Sequence, residues 1–310
     1  MPDLILHHYP SSPFSEKFRL VLGYKGLAWQ SVTVPVMLPK PDVIALTGGY
    51  RRTPFLQIGA DIYCDTALMC RVVDALQPEP TLYPDESAGL AEIVAQWADA
   101  ALFWSAIPLT LQSGGGPQLM PDSSPEYLKA FGADRAAMTT GMRRLSPPDA
   151  GAAVAVYLAR LDALLADGRP FLLGALPCIA DFSCVQSTWF MQHAPSLKAQ
   201  LAARPRIAEW SARVQAFGQG TATLLSSGEA IATAAAARTH APVGVDPGLG
   251  YVPGEAVTVS PTDYGADPVP GTLVGLSLDS VTIERQDERA GTLHVHFPRL
   301  GFQIRKEKTT

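Results

Sequence analysis

Ser12-Pro13-Phe14-Ser15 follows an apolar run, Leu4 to Tyr9, that reads as a strand, and it opens a second run, Phe14 to Tyr24, that reads as a helix. Serine caps a helix by accepting from its first free N–H groups, and proline suits the first helical position. A hydroxyl at that point sits where unpaired N–H groups and the helix dipole favour negative charge. Such an environment can hold a thiolate. A free thiol titrates near about 8.5, so lowering its pKa by about two units needs about 2.7 kcal/mol of preferential thiolate stabilisation. One hydroxyl donor together with a helix N-terminus is of that order. On this reading Ser12 donates to a bound sulfur and is not itself the nucleophile. Ser11, one residue away, is a rival for the same hydrogen bond, and capping alone would also explain the Ser-Pro pair.

Three further features follow in order. Arg51-Arg52-Thr53-Pro54-Phe55 places a proline at the entry of a strand, Asp65-Thr66 starts the next helix, and Cys178-Ile179-Ala180-Asp181 starts another. Arg19 lies one turn beyond Ser15. Phe103 and Trp104, with Phe14, are candidates for an apolar substrate pocket, whereas Trp97 is explained at least as well by core packing. His294 and His296 alternate on one strand face. No third ligand is evident beside them, so solvent-facing histidines and no metal site are expected. The four cysteines, Cys64, Cys70, Cys178 and Cys184, form no Cys-x-x-Cys pair and read as small buried hydrophobes in a reducing compartment.

The elements that must position these residues read β-α-β, a connection over 36–49, then β-β-α. Gly59-Ala60 joins strands Phe55–Ile58 and Asp61–Tyr63, and Thr66–Leu76 is a helix. Gln77–Glu86 carries three prolines and reads as a linker. Apolar residues then recur at helical spacing, and residues 87–237 read as entirely helical, with a break at Ser113–Pro117. After His240 proline, glycine and β-branched residues return, and about five short strands predict a small antiparallel barrel or sheet. The domains expected are 1–78, a linker 79–86, 87–238 and 239–310.

The chain has 310 residues, enough for two or three cores, with 47% hydrophobic and 17% charged residues. A net charge of −5 argues against nucleic acid or an anionic membrane as the main partner. No apolar run is long enough to span a bilayer, and Met1-Pro2-Asp3 lacks the basic and apolar parts of a secretion signal. A cytoplasmic protein is expected.

Over residues 3 to about 220 this order of motifs resembles the cytosolic glutathione transferase superfamily. Ser-Pro-Phe-Ser-Glu-Lys-Phe-Arg at 12–19 is most similar to its omega and zeta branches, and Ser15 takes the second position of what is a Cys-x-x-Cys pair in thioredoxins. The resemblance implies a thioredoxin-like glutathione-binding domain, an all-helical domain and a homodimer, and it makes Tyr9, at the end of the first strand, a rival of Ser12 as donor to the sulfur. It implies that Thr53, before a cis Pro54, pairs its backbone with glutathione. It also implies that Asp65-Thr66 holds the γ-glutamyl end, and that Arg51, Arg52 or Lys40 faces the glycine carboxylate. Cys178 and Asp181 fall on the family's helix-capping box. With glutathione as co-substrate, the function implied is conjugation to a small hydrophobic electrophile. Thr53, Asp65-Thr66 and Cys178 depart from the common family residues. A second hypothesis is therefore a non-catalytic binding or scaffold protein that uses its C-terminal β module for a partner.

Overall fold

Ser12 has extended backbone angles, its hydroxyl accepts from the Ser15 amide at 3.2 Å, and Pro13 takes the first helical position, so α1 (Pro13–Tyr24) starts where the cap signal lies. The computed structural model describes residues 2–120 and 123–307. Around α1 lie β1 (Ile5–His8), β2 (Ala28–Thr33), α2 (Pro41–Thr47), β3 (Phe55–Ile58), β4 (Asp61–Cys64) and α3 (Thr66–Leu76). β1 runs parallel to β2 and antiparallel to β3, which pairs antiparallel with β4. This is the expected thioredoxin-like unit, and its Thr53–Pro54 bond is cis.

The helical part comprises α4 (Ala88–Trp97), α5 (Phe103–Thr110), α6 (Gly116–Leu119), α7 (Pro125–Met138), α8 (Pro147–Leu164), α9 (Ile179–Met191), α10 (Pro195–Ala202) and α11 (Pro205–Gln215). A π turn at Ala98–Leu102 joins α4 to α5. The long helix then breaks at Ser113 and Gly114, where φ turns to +86° at the glycine. Buried Asp181 fixes the start of α9. Its Oδ1 accepts from the Leu172 amide at 2.9 Å and from Trp210 Nε1 at 2.7 Å. Its Oδ2 accepts from the Cys178 amide at 3.0 Å and from the Cys178 thiol at 3.4 Å. Cysteine thus completes the capping box that its type made doubtful.

Two expectations need correction. Residues 87–237 are not wholly helical: β5 (Thr221–Leu224) lies parallel to β2 at the sheet edge, and α12 (Ser227–Ala236) packs on α2 and β9, not on the helical part. The chain returns there through a close approach, since a Cβ on Gly23 would meet the Gly218 carbonyl oxygen at 2.1 Å. The second correction concerns residues 239–310. Their strands, β6 (Ala256–Pro261), β7 (Val269–Leu276), β8 (Ser280–Asp287), β9 (Gly291–Pro298) and β10 (Phe302–Lys306), pair antiparallel with one another as expected, but they close no barrel and are not a sheet by themselves. β9 runs parallel to β4, pairing Asp61 with His294, so all the strands join one sheet in the order β10-β6-β7-β8-β9-β4-β3-β1-β2-β5. The physical reason is the open edge of β4, whose unpaired backbone groups β9 satisfies.

Two large cores result. One lies between the first sheet, α1, α3 and the helical part, and includes Phe18, Phe182 and Trp210. The other joins Ile5, Phe55 and Ile62 to Val259, Leu273, Ile283 and Phe297 of the C-terminal strands. No helix among the described residues is long and apolar enough to cross a membrane.

Candidate functional site

Two cavities meet beside the start of α1. The first, of about 170 Å³, is lined by Tyr9, Ser11, Ser12, Phe14, Lys40, Arg52 and Thr53, and on its other side by Phe103, Trp104, Ile107, Met138 and Phe190 of the helical part. The second, of about 550 Å³, is lined by Lys17, Thr53, Pro54, Asp65, Thr66 and Asp99. Phe14, Arg52, Thr53 and Tyr264 border both. The fold thus brings the candidate sulfur-donor, ligand-holding and pocket residues to these two cavities, except Trp97 and Ser15, the latter with its hydroxyl buried and without a hydrogen-bond partner among the described residues. Trp97 packs edge-on against Tyr157, away from both cavities.

Ser12 is held by the turn before it. Its amide donates to the Tyr9 carbonyl at 3.2 Å. Buried Arg19 donates to the Pro10 carbonyl at 3.0 Å, to Glu16 at 2.6 Å and to His8 Nδ1 at 2.9 Å, so the Tyr9–Ser12 turn is clamped from within. Burial, with the Arg19 charge beside it, pushes His8 down to about 4, and the imidazole stays a neutral acceptor at neutral pH. The cap uses Ser12 Oγ only as an acceptor from Ser15, which leaves its O–H to the neighbouring Tyr9 hydroxyl or to a group in the first cavity. Burial raises the Tyr9 phenol, which therefore also stays protonated as a possible donor.

Lys40, in the first cavity, has no carboxylate partner among the described residues. Its ammonium donates to the Arg51 carbonyl and to Thr53 Oγ1, each at 3.3 Å. Burial, reinforced by the Arg135 charge, pushes it down to about 7. Below that pH the folded and unfolded chains both carry the proton, and the folded state bears the burial cost in full. Between about 7 and the ordinary lysine value the folded chain releases the proton first, so this group makes stability rise with pH. Lys40→Met should therefore stabilise the empty protein by about 1–2 kcal/mol near pH 6 in urea denaturation, with the gain fading as the pH is raised. An anion beside Lys40 favours the charged form, so anion binding should tighten as pH falls through about 7.

In the second cavity Asp65 caps α3 at a backbone φ of +74°, rare for a residue other than glycine, and accepts from the Ala67 amide at 2.9 Å. Lys17, fully buried, donates to Thr66 Oγ1 at 3.2 Å and to Asp99 Oδ2 at 2.6 Å. Burial works most strongly against the Lys17 charge, but Asp99, together with Cys70 and Asp65 nearby, outweighs it, so the ammonium lies above its usual value. Gln186 and Ser183 also donate to the Asp99 carboxylate, at 2.7 and 3.3 Å. Asp99→Ala would leave the ammonium with one hydroxyl. Breaking a fully buried pair costs about 3–5 kcal/mol; Asp99 borders an open cavity, so a loss of about 2 kcal/mol is expected in urea denaturation. The double variant Lys17→Met/Asp99→Leu should recover most of it, because no buried charge is then left alone.

Arg52 is already engaged. It donates to the Asp263 carboxylate and the Tyr264 carbonyl, and its guanidinium lies over the Tyr264 ring, 3.8 Å from the centroid. Tyr264 in turn meets Trp104 edge-on at 4.9 Å, and the Gly265 amide donates to the Met138 carbonyl at 2.7 Å. The segment between β6 and β7 therefore spans from the first sheet to the helical part and walls both cavities. Arg51 pairs with Asp134 on α7. Sequence reasoning missed Lys17, Asp99, Asp263 and Tyr264. Lys17 reads there as an ordinary polar helix residue, and the others lie far along the chain from the motifs they complete. The expectation that His294 and His296 face solvent is corrected too. His296 is buried against Asp61, and His294 is partly covered by His240.

The glutathione S-transferase N-terminal domain family matches residues 6–81. No curated protein matches the chain in sequence. Among solved structures, a GST-like protein from Pseudomonas syringae is 39% identical, with a TM-score of 0.81, the match covering 99% of this chain and 100% of that one. A glutathione S-transferase from Rhodospirillum rubrum F11 (20% identity, TM-score 0.53) is matched over 68% of this chain and 87% of its own. A beta-etherase from Sphingobium sp. strain SYK-6 (18%, TM-score 0.54) is matched over 69% and 95%. The last two share the fold alone. The Pseudomonas syringae protein matches along nearly the whole chain, C-terminal strands included, and with the N-terminal-domain match it leads to one conclusion: the chain belongs to the glutathione S-transferase superfamily.

Proposed function

We propose that the protein is a glutathione transferase of the serine type, which stabilises the glutathione thiolate and delivers it to a small hydrophobic electrophile. The observation that carries this reading is the position of Ser12: a hydroxyl at a helix start, whose O–H the cap does not use, lining an apolar cavity that adjoins a second one bearing Lys17, Asp65, Thr66 and Asp99. The γ-glutamyl end would lie in the second cavity, its ammonium towards Asp65 and Asp99 and its carboxylate towards Thr66, the start of α3 and Lys17. Thr53 would hold the cysteinyl backbone, and Lys40 the glycine carboxylate. Arg52 then acts through Asp263 and Tyr264 as part of the wall. Phe14, Phe103 and Trp104 would bound the electrophile. Acceleration would come from thiolate stabilisation and proximity.

The four cysteines are free and buried, which suits a reducing cytoplasm. A two-fold dimer is part of the proposal, and exposed Leu90 and Ile93 on α4 support it. The non-catalytic alternative draws on one observation, that Asp263 already neutralises Arg52. Titration with glutathione, followed by thiolate ultraviolet absorbance and then by addition of an aryl halide, separates the two. Thiolate formation with turnover supports the transferase. Binding without thiolate supports the alternative, and no binding at millimolar glutathione counts against both.

A further inference from the structure

The seam between β4 and β9 carries a polar cluster that lines neither cavity. Asp61, His294 and Glu284 form one row across three strands, because Asp61 pairs with His294 and His294 with Glu284 in register. The connector after α12 adds His240, whose ring stacks on His294 with centroids 3.8 Å apart. The Ala241 amide anchors that connector by donating to Asp61 Oδ2 at 2.9 Å.

One potential ligand atom each from Asp61, His240 and His294 lies within 4.8 Å of the other two. His240 Nδ1 is 3.8 Å from Asp61 Oδ2. The Nδ1 atoms of His240 and His294 are both buried, and both lack a hydrogen-bond partner among the described residues. Buried imidazole nitrogens are ordinarily satisfied, so two unsatisfied ones beside a carboxylate call for an occupant. The surroundings are those that orient ligands. His294 Nε2 faces Glu284 at 3.6 Å, which directs Nδ1 inward. Asp61 Oδ1 is held by His296 Nε2 at 2.7 Å, and His296 Nδ1 lies 2.9 Å from Thr282 Oγ1. Carboxylate contacts to the far nitrogen of a ligating histidine, and hydrogen bonds to a ligating carboxylate, are the usual outer contacts of a metal centre.

We propose that Asp61, His240 and His294 form a binding site for one divalent transition-metal ion, with water completing the coordination. Two imidazoles and one carboxylate are borderline donors that suit zinc. Binding would splay the stacked rings so that both nitrogens converge on the ion. The ion would clasp three parts of the chain: the first sheet through Asp61, the connector through His240 and the C-terminal strands through His294.

The test uses the full-length protein freed of metal with a chelator. It is titrated with zinc(II) by calorimetry and with cobalt(II) as a spectroscopic probe. The expected result is one ion per chain, cobalt bands of a low-coordinate nitrogen–oxygen site, and a higher melting temperature in zinc. His240→Ala and His294→Ala should each weaken zinc binding at least ~10-fold, while His193→Ala, on the helical part, leaves it unchanged. His240 sits on a partly exposed connector, so His240→Ala decides the matter even if His294→Ala does not fold. Absence of stoichiometric zinc binding in large excess, or unchanged affinity in a folded His240→Ala, would overturn the assignment.

Discussion

Ser12→Ala should lower kcat/KM for an aryl halide by about 10²-fold while leaving the affinity for S-methylglutathione within about threefold. The hydroxyl is asked to donate to a thiolate and to little else, so its loss falls on the ionised form. The pKa of bound glutathione should rise by about one to two units towards the free-thiol value, as followed by thiolate absorbance against pH. The start of α1 remains in the variant, which is why the loss is not larger. Loss of the cap to the Ser15 amide should cost about 1 kcal/mol of stability, measured separately by denaturation. Tyr9→Phe and Ser11→Ala provide the comparison. If Tyr9→Phe shows the larger rise in thiol pKa, the donor is Tyr9, and the role assigned to Ser12 is wrong.

Asp181→Ala should be the most damaging single change to stability, at about 4 kcal/mol. The carboxylate accepts from the amides of Leu172 and Cys178 and from the Trp210 indole, all within the interior. Each donor left buried without a partner costs about 1–3 kcal/mol, and water has no route to replace the carboxylate. Trp210 is fully buried, so its fluorescence reports the same transition. Asp181→Asn keeps an acceptor oxygen and should lose less than half as much. A denaturation midpoint of Asp181→Ala close to that of the parent would show that the hub carries no such load.

Local signals were legible because their physics is local. The Ser12 cap, the helix start at Asp65-Thr66, the Gly59-Ala60 hairpin and the start of α9 at Ile179 each depend on residues a few positions apart, and all appear where the sequence placed them. The five C-terminal strands were legible as strands for the same reason. Their attachment was not, since the β4–β9 pairing joins backbone groups that carry no side-chain signature. β5 escaped notice because Thr221–Leu224 is short and exposed throughout, with no alternation to read. The wall of the site was hidden by distance: Arg52 and Asp263 are 211 positions apart, and Lys17 and Asp99 are 82 apart. Neither pair differs in composition from residues that would otherwise face water.

The parallel pairing of β4 with β9 also sets an order on synthesis. β4 ends at Cys64 and β9 begins at Gly291, so roughly 230 residues leave the ribosome between an edge and the strand that covers it. At typical elongation rates that interval is about 10–50 s. Throughout it the nascent first domain presents an unpaired, largely apolar strand, the kind of edge through which chains aggregate. The wall formed by Asp263 and Tyr264 is likewise missing until late in translation. Chains truncated before β9 should therefore be captured by chaperones or precipitate, and the candidate site should be complete only after Asp263, Tyr264 and β9 have been made.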